Sequence, residues 1–504
     1  MVAKVLSSLV RGLEGRLVEV QVDISSGPVG FALVGLATGS VREAKERVRS
    51  AIRNSGLPFP AQRKLTVNLA PAELRKEGSG LDLAIGVGIS LAALGLPSPG
   101  NAAFLGELSL DGAIRHVDGV LVAARWLASR GVAAVFVPEP DAAEAALAGG
   151  LRVYSCPSLA AAMAHLMGDS PLEPYAVSVP APPPDDITPE HDLAEVQGQD
   201  SARRALEVAA SGSHHLLMSG PPGAGKTMLA RCLPGLLPPL ELEEALELAQ
   251  IRSVLGDLTA GRPLEWVRPF RAPHHSVSLA GLIGGGSGVA TPGEISRAHH
   301  GVLFLDELAE FHTATAQALR QPLEQGRIVI TRRSGSFAYP ARFQLVAATN
   351  PCPCGWAGDS QRSCRCAQAA VEAYQRSLSG PLLDRIDLQV VVPRTPMEVL
   401  GREAVGEPSA AVRARVLEAR RLQIHRQGTL NAALRAPQLR RWASLEGPAL
   451  TALRRWADQR GLSARGFHRA WRVARTLADL EGGGTIREHH VMEALGYRIV
   501  ERAA

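Results

Sequence analysis

The stretch Leu216-Leu-Met-Ser-Gly220-Pro-Pro-Gly-Ala-Gly-Lys226-Thr227 decides how the centre of this chain folds. A short apolar run ends at Ser219, a glycine-rich loop follows, and an apolar helical segment begins at Met228. This is the G-x-x-x-x-G-K-T pattern in the strand–loop–helix context of a phosphate-binding loop. An ordinary glycine turn is the alternative, which this context disfavours. We therefore predict nucleotide-binding residues at Gly220, Pro221, Pro222, Gly223, Ala224, Gly225, Lys226 and Thr227.

The chemistry of this loop explains its composition. Its glycines let backbone N–H groups turn toward phosphate oxygens, and the helix N-terminus adds a favourable dipole. Lys226 is expected to reach the β- and γ-phosphates of ATP, and the Thr227 hydroxyl is expected to ligate Mg²⁺.

A second apolar run, Gly301-Val-Leu-Phe-Leu305, ends in two carboxylates, Asp306 and Glu307. Asp306 is suited to hold the water shell of Mg²⁺, and Glu307 is suited to polarise the attacking water as a general base. Paired acids at a strand end are often only surface charge. Their position after the phosphate-binding loop favours the catalytic interpretation.

A third apolar run, Phe343 to Thr349, ends in Asn350. A polar residue at this position fits the task of positioning water or sensing the γ-phosphate. The alternative is a turn asparagine that ends the strand before Pro351.

The rest of the chain divides into segments of different character. Residues 1–170 alternate strand-like and helix-like runs and predict a compact α/β domain. Residues 171–192 are rich in proline and poor in apolar groups, which is typical of a linker. Residues 193–395 predict a parallel α/β sheet, and residues 396–504 predict amphipathic helices.

Charge and hydropathy restrict the location and the partners. The apolar run Leu83 to Leu96 is too short to span a bilayer and predicts a buried core helix. Charged residues from Lys4 to Arg16 argue against a signal peptide, so a cytoplasmic protein with no membrane partner is expected. Residues 401–504 hold nineteen Arg, no Lys and ten acidic residues, a net +9 within a chain total of +5. A basic region favours an acidic partner, nucleic acid first, although arginine-rich composition also follows from a high-GC genome.

Several strings outside these runs closely resemble the ComM/YifB family of magnesium-chelatase-like AAA+ ATPases. The resemblance covers nearly the whole chain and implies a fold. That fold comprises a non-proteolytic Lon-like α/β N-terminal domain, a P-loop AAA+ core with an insertion between Ser276 and Gly293, and an all-α C-terminal lid. The strings are Arg268-Pro-Phe-Arg-Ala-Pro-His-His275, Gly284-Gly-Gly286, Pro292-Gly-Glu-Ile-Ser-Arg-Ala-His299, Asn350-Pro-Cys-Pro-Cys-Gly355 and Ser379-Gly-Pro-Leu-Leu-Asp-Arg-Ile-Asp387.

The resemblance also implies two arginine roles in a homo-hexameric ring. Arg385 corresponds to the arginine finger, which reaches the γ-phosphate of the neighbouring subunit and neutralises charge in the transition state. From the residues alone, a salt bridge from Arg385 to Asp384 or Asp387 is the alternative. Arg465 corresponds to the second sensor, and the subunit whose nucleotide it touches remains open.

The function that the resemblance implies is an ATP-dependent DNA helicase that drives branch migration in homologous recombination or natural transformation (competence). Its substrates would be single-stranded, forked or junction DNA. The predicted hairpin Ile328 to Pro340 carries Arg332 and Arg333, which suit phosphate contacts. A solvated hairpin tip is the alternative.

The N-terminal domain resembles the Lon-like module through the strings Asn68 to Gly80 and Gly106 to Ile114. Ser79 falls near the catalytic serine of active Lon, but the expected place of the lysine, Val120 to Val122, is apolar. A serine without its base is not an activated nucleophile. We therefore expect a binding or assembly module, with recombination proteins as candidate partners.

Cys352, Cys354, Cys364 and Cys366 lie within fifteen residues of one another and predict a structural Zn²⁺ site. The C-x-C spacing is tighter than usual, and four reduced thiols in a loop are the alternative. By composition, other candidate ligands are the histidines His274, His275, His299 and His300, although such pairs more often serve packing or phosphate contacts.

Two other functions remain open at this stage. The motor subunit of a metal-tetrapyrrole chelatase shares the core but lacks the Lon-like domain. A protein-remodelling ATPase would leave the basic lid and the hairpin arginines unexplained. An ATP-dependent protease is disfavoured by the missing lysine.

Overall fold

A computed structural model describes residues 2–36, 39–176, 190–259, 263–286, 288–332, 335–359, 361–378, 380–395 and 406–498. Arg333 and most of the proline-rich segment lie outside these residues, so the domain boundaries at 170, 192 and 395 stay predictions. Within the described ranges, no helix has both the length and the apolar character needed to cross a membrane.

The N-terminal part forms a mixed seven-stranded sheet and a small hairpin. Its strands are β1 Ala3–Arg11, β2 Glu14–Ser25, β3 Gly30–Val34, β4 Lys64–Ala70, β5 Ala102–Phe104, β6 Glu107–Leu108, β7 Ile114–Arg115, β8 Ala134–Pro138 and β9 Arg152–Cys156. The sheet order is β3-β4-β2-β1-β5-β8-β9, and β6 pairs with β7 in the hairpin. The predicted alternation of strands and helices is confirmed here.

The helices of this part are α1 Gly39–Asn54, α2 Asp82–Leu94, α3 Val120–Ser129, α4 Ala142–Ala146 and α5 Leu159–Met167. Helix α2 is buried from Asp82 to Leu91, as expected for a core helix. It approaches the sheet so closely that a Cβ on Gly88 would lie 2.8 Å from Val22. Its one buried charge, Asp82, accepts a 2.8 Å hydrogen bond from Arg47.

A five-stranded parallel sheet forms the centre of the chain. Its strands are β10 Leu216–Ser219, β11 Phe270–Arg271, β14 Val302–Leu305, β17 Gln344–Thr349 and β18 Leu388–Val391, and their order is β11-β14-β17-β10-β18. Successive side chains of β10 pack on opposite faces, Leu216 in one apolar cluster and Leu217 in another. Both faces are therefore covered, as parallel sheets require, and the predicted parallel α/β core is confirmed.

Helices and two hairpins surround this sheet. The helices are α6 Asp200–Gly212, α7 Lys226–Leu236, α8 Leu242–Val254, α9 Leu279–Ile283, α10 Glu294–Arg297, α11 Thr313–Ala318, α12 Arg320–Gln325, α13 Gln368–Ser377 and α14 Gly380–Leu383. The hairpins are β12 Gly284–Gly285 with β13 Thr291–Pro292, and β15 Arg327–Arg332 with β16 Gly335–Pro340. The insertion expected within Ser276 to Gly293 thus consists of α9 and the first hairpin.

The two hairpins touch each other and the N-terminal part. The Tyr339 hydroxyl of the second hairpin donates a hydrogen bond to the Ala290 carbonyl of the first. The guanidinium of Arg11, at the end of β1, lies 5.7 Å from the ring centroid of Phe337. The N-terminal sheet therefore rests against the hairpin that the sequence associates with DNA.

A second contact joins the N-terminal part to the core through α3 and α8. Leu121 and Leu147 pack there with Leu246 and Leu248 in one apolar cluster. The buried carboxylate of Glu144 accepts hydrogen bonds from the Ser253 hydroxyl at 2.5 Å and from the Leu121 N–H at 2.8 Å. Burial raises the pKa of Glu144.

Among the described residues of the C-terminal part, helices predominate, as predicted, and one isolated bridge joins Leu445 to Ile486. Its helices are α15 Ser409–Gln427, α16 Ala436–Trp442, α17 Gly447–Arg460, α18 Ala464–Leu480 and α19 Glu488–Gly496. Asp479, buried in α18, accepts hydrogen bonds from Arg426 at 2.6 and 2.9 Å and from Asn431 at 2.7 Å, and it pairs with Arg475 at 2.9 Å. This network fixes the lid internally.

Candidate active site

The predicted nucleotide residues meet because of the order of the core strands. Strand β17 lies between β10 and β14, with Ser219 opposite Thr349 and Leu305 opposite Ala347. Parallel strands end at the same edge of a sheet, so the loops after these three strands share one crevice.

The phosphate-binding loop has the backbone that only glycine adopts readily. Gly223 and Gly225 have φ values of 75° and 87°, and a Cβ at either position would point into open space. Helix α7 begins at Lys226 immediately afterwards. Open space above a glycine backbone at a helix N-terminus is the cradle that a polyphosphate needs.

Lys226 is held at the floor of this cradle. Its Nζ donates to the carbonyl oxygens of Gly220 at 2.5 Å and Pro221 at 3.0 Å, and to Oδ1 of Asn350 at 3.1 Å. Burial lowers the pKa of Lys226, while Asp306 and Glu307 oppose that shift. The contact with Asn350 links the phosphate-binding loop directly to the end of β17.

Thr227 and Asp306 form a matched pair of oxygen groups. The Thr227 hydroxyl donates to Oδ2 of Asp306 at 2.8 Å. A hydroxyl and a carboxylate at this separation are hard oxygen donors, which Mg²⁺ prefers. The donor set therefore fits the magnesium ion that the sequence predicts.

Glu307 is held in an unusual conformation beside this pair. Its φ is 51°, in the left-handed region that a non-glycine residue occupies at a cost of about 1–3 kcal/mol. Its N–H donates to Oδ1 of Asp306 at 3.0 Å, and its side chain is half exposed. The carboxylate is thus fixed by its backbone and is accessible to water.

The structure adds a contact that the sequence analysis missed. Nδ1 of His275 lies 3.3 Å from Oε2 of Glu307. His275 follows β11, which pairs in parallel with β14, the strand that leads to Glu307. The signal in the sequence is the histidine pair three and four residues after Arg271, the last residue of β11, but the sequence analysis assigns that pair to packing or phosphate contacts.

The two predicted trans-acting arginines converge on another carboxylate. Arg385 is buried and hydrogen bonds to Glu324 at the end of α12, while Nη2 of the exposed Arg465 lies 3.9 Å from the same side chain. Asp387, one of the partners considered for Arg385, is paired with Arg469 at 2.8 Å. The contacts of Arg385 and Arg465 with Glu324 could not be predicted from the sequence, because Glu324 belongs to a distant helix.

The four clustered cysteines come together as the sequence predicted for a metal site. Their Sγ atoms all lie within 4.8 Å of one another. Hydrogen bonds from the N–H groups of Arg365 and Trp356 lower the pKa of the Cys354 thiol to about 6. The pKa values of the neighbouring Cys364 and Cys366 thiols are raised, so the metal hypothesis rests on the positions of the four sulfur atoms.

The other histidine pair is used by the protein itself. Nε2 of His299 and Nε2 of His300 lie 2.8 and 2.7 Å from Glu247, and Nδ1 of His300 lies 3.2 Å from Glu244. Nδ1 of His299 accepts from the N–H of Arg342 at 3.0 Å. All four ring nitrogens are engaged, which fits the packing role weighed for this pair.

The N-terminal part has a cavity of about 370 Å³ around Ser79. The Ser79 hydroxyl donates to Glu107, and His116 in the same wall lies 2.5 Å from the buried carboxylate of Asp141. Among the residues that the structure describes, no lysine lines this cavity. The serine is therefore paired with an acid there.

Arg332 lies exposed at the end of β15, next to the hairpin tip. Arg333, the second arginine of the predicted phosphate contact, is outside the described residues.

Comparison with known proteins identifies relatives along the whole chain. Family models described as "Subunit ChlI of Mg-chelatase", "Magnesium chelatase, subunit ChlI" and "Magnesium chelatase, subunit ChlI C-terminal" match residues 20–141, 192–400 and 406–498. An uncharacterized protein of Mycobacterium tuberculosis is 45% identical over 503 residues, 98% of each chain. YifB of Escherichia coli is 42% identical over 499 residues, 97% of this chain and 96% of its own. Competence protein ComM of Haemophilus influenzae is 42% identical over 507 residues, 99% of this chain and 98% of its own.

Proposed function

This chain belongs to the ComM/YifB family of magnesium-chelatase-like AAA+ ATPases, and from that premise we propose that it is an ATP-driven, ring-forming DNA motor. Its proposed work is branch migration in homologous recombination or natural transformation. The observation that carries the ATPase part is the meeting of Lys226, Asn350, Glu307 and the Thr227–Asp306 pair at one sheet edge.

The residues divide the work of ATP hydrolysis. Lys226 leaves its carbonyl partners to pair with the β- and γ-phosphates, while Asn350 stays within reach of the same region. Thr227 and Asp306 would hold Mg²⁺, which supplies positive charge for the phosphate oxygens. Glu307 accepts a proton from the attacking water.

Arg385 and Arg465 complete the site from a neighbouring subunit in this proposal. Arg385 shares the Glu324 carboxylate with Arg465. In a ring, that carboxylate would orient the two guanidinium groups toward the γ-phosphate of the nucleotide bound to the neighbouring subunit. A homo-hexamer is the proposed assembly, as the resemblance implies.

DNA contacts are proposed at the second hairpin and the basic lid. Arg332 is exposed at the end of β15, and the hairpin is held to the first hairpin through Tyr339 and to β1 through Arg11. An arginine on a braced hairpin can hold a phosphate while the subunit moves. The N-terminal domain is proposed as an assembly module for recombination partners.

A metal-tetrapyrrole chelatase motor or a protein-remodelling ATPase is the second candidate, because the matching family models describe a chelatase subunit. The match to competence protein ComM over 99% of this chain favours the recombination role.

The proposed cofactors are Mg²⁺ with ATP and a structural Zn²⁺ on the cysteine cluster. Cytoplasmic location is part of the proposal.

The test is branch migration of a synthetic four-way junction by the full chain with ATP. We expect Arg332→Ala to slow migration and to weaken junction binding, because one phosphate contact is lost. Arg327→Ala is the matched control, since Arg327 is also exposed and lies at the other end of the same strand. Equal loss in both variants, or no junction migration by the wild type, would contradict the proposal.

A further inference from the structure

The cysteine cluster has the dimensions of a tetrahedral thiolate site. The Sγ atoms of Cys352, Cys354 and Cys364 are 3.4, 3.6 and 3.7 Å apart, and Cys366 completes the group within 4.8 Å. Zinc–sulfur bonds of about 2.3 Å in a tetrahedron place the sulfur atoms about 3.8 Å apart. Three of the thiols therefore already have the spacing of a tetrahedral site, and Cys366 lies close enough to supply the fourth ligand.

Backbone N–H groups already point at the sulfur atoms. The N–H of Ala357 donates to Sγ of Cys352 at 3.3 Å, and the N–H of Cys366 donates to Sγ of Cys364 at 3.4 Å. Such hydrogen bonds orient metal ligands and share the negative charge of thiolates.

The segment between the cysteine pairs, from Cys354 to Cys364, is held by local turns and not by a helix or strand among its described residues. Trp356 is covered by the guanidinium of Arg362, 4.6 Å from the ring centroid. A bound ion would join the two ends of this loop through the four sulfur atoms.

The cluster lies against the nucleotide site. Cys352 follows Asn350 by two residues, and Gly355 turns the chain back over the phosphate-binding loop with φ at 82°. A Cβ on Gly355 would lie only 2.5 Å from Cδ of Pro222. The loop that would hold the ion therefore touches one side of the cradle and continues into the residue that contacts Lys226.

We infer that the four cysteines bind one Zn²⁺, and that this zinc site fixes Asn350 and the phosphate-binding loop relative to each other. The ion is thus a positioning element of the nucleotide site as well as a staple of its own loop. The metal assignment stands on the thiol geometry alone, whereas the positioning role rests on the proposed ATPase function.

The metal is tested on the full chain purified without chelator. We expect one zinc per chain by elemental analysis, released when a mercurial reagent titrates the thiols. Cobalt substitution should give the absorption of a tetrahedral thiolate complex. Cys364→Ser should lose the zinc, while Cys156→Ser, a buried cysteine of the N-terminal sheet, should keep it. Substoichiometric zinc with four freely reactive thiols, or a disulfide between them, would overturn the assignment.

The positioning role is tested by changing the contact between Gly355 and Pro222 while the metal stays bound, and by removing the metal while the sequence stays the same. Gly355→Ala forces a Cβ against Pro222 in a left-handed backbone and should raise the KM for ATP while zinc content stays at one per chain. Reversible extraction and return of zinc in the wild type should weaken and then restore nucleotide binding, even if Cys364→Ser does not fold. Unchanged nucleotide binding in both experiments would overturn the role. Absence of ATPase in the zinc-loaded wild type would instead count against the proposed function.

Discussion

The nucleotide crevice and the N-terminal cavity both place a functional side chain beside glycines, but their surroundings differ. In the crevice, Lys226 contacts Asn350, and Thr227 contacts Asp306. In the cavity, the hydroxyl of Ser79 faces Glu107, and no lysine lines the wall among the described residues. A nucleophile needs a base to activate it, so the two sets of contacts support the proposed ATP chemistry in the first region and the proposed binding or assembly role in the second.

The largest effect on nucleotide binding is expected when Lys226 is substituted. Lys226→Ala should abolish nucleotide binding, because it removes the cation that pairs with the phosphates. Fluorescent nucleotide titration measures it. Glu307→Gln is the contrast, since it should bind normally while turnover falls by about 10²–10⁴. Full turnover by Glu307→Gln would remove Glu307 as the general base.

A smaller effect is expected at His275, whose ring contacts the proposed general base Glu307 in the crevice. His275→Ala should lower kcat for ATP by about tenfold to a hundredfold with little change in KM, because Glu307 loses its side-chain contact. His275→Asn should recover part of the rate. The neighbouring His274 contacts Ser276, so His274→Ala is the control that should leave kcat unchanged. Equal losses in both alanine variants would mean that the pair matters only for packing.

The smallest effect is expected in the cavity. Ser79→Ala should leave ATPase rate unchanged, and neither protein should cleave a casein substrate. The expectation follows because the Ser79 hydroxyl donates to the carboxylate of Glu107 and, among the described residues, no lysine lines the cavity to serve as the base of a Ser–Lys dyad. The expectation would be wrong if the wild type cleaved casein and Ser79→Ala did not, since both regions would then be catalytic.

The sequence predicted what depends on local pattern. The phosphate-binding loop, the buried helix α2 and the ends of β14 and β17 follow from short runs of residues, and the structure has them at those places. Two contacts could not be predicted. His275 reaches Glu307 because β11 and β14 are neighbours, and Glu324 reaches Arg385 through a distant helix. Strand order and helix packing determine such contacts, and local sequence patterns predict neither of them.

The central claim is that ATP turnover drives work on DNA. Its most direct test is the steady-state ATPase rate of the full chain with and without four-way-junction DNA, at low and high salt. The account predicts strong stimulation by the junction that fades at high salt, because phosphate contacts are weakened by added ions. An ATPase rate that no DNA changes at either salt concentration would contradict it and would favour the chelatase or protein-remodelling alternative.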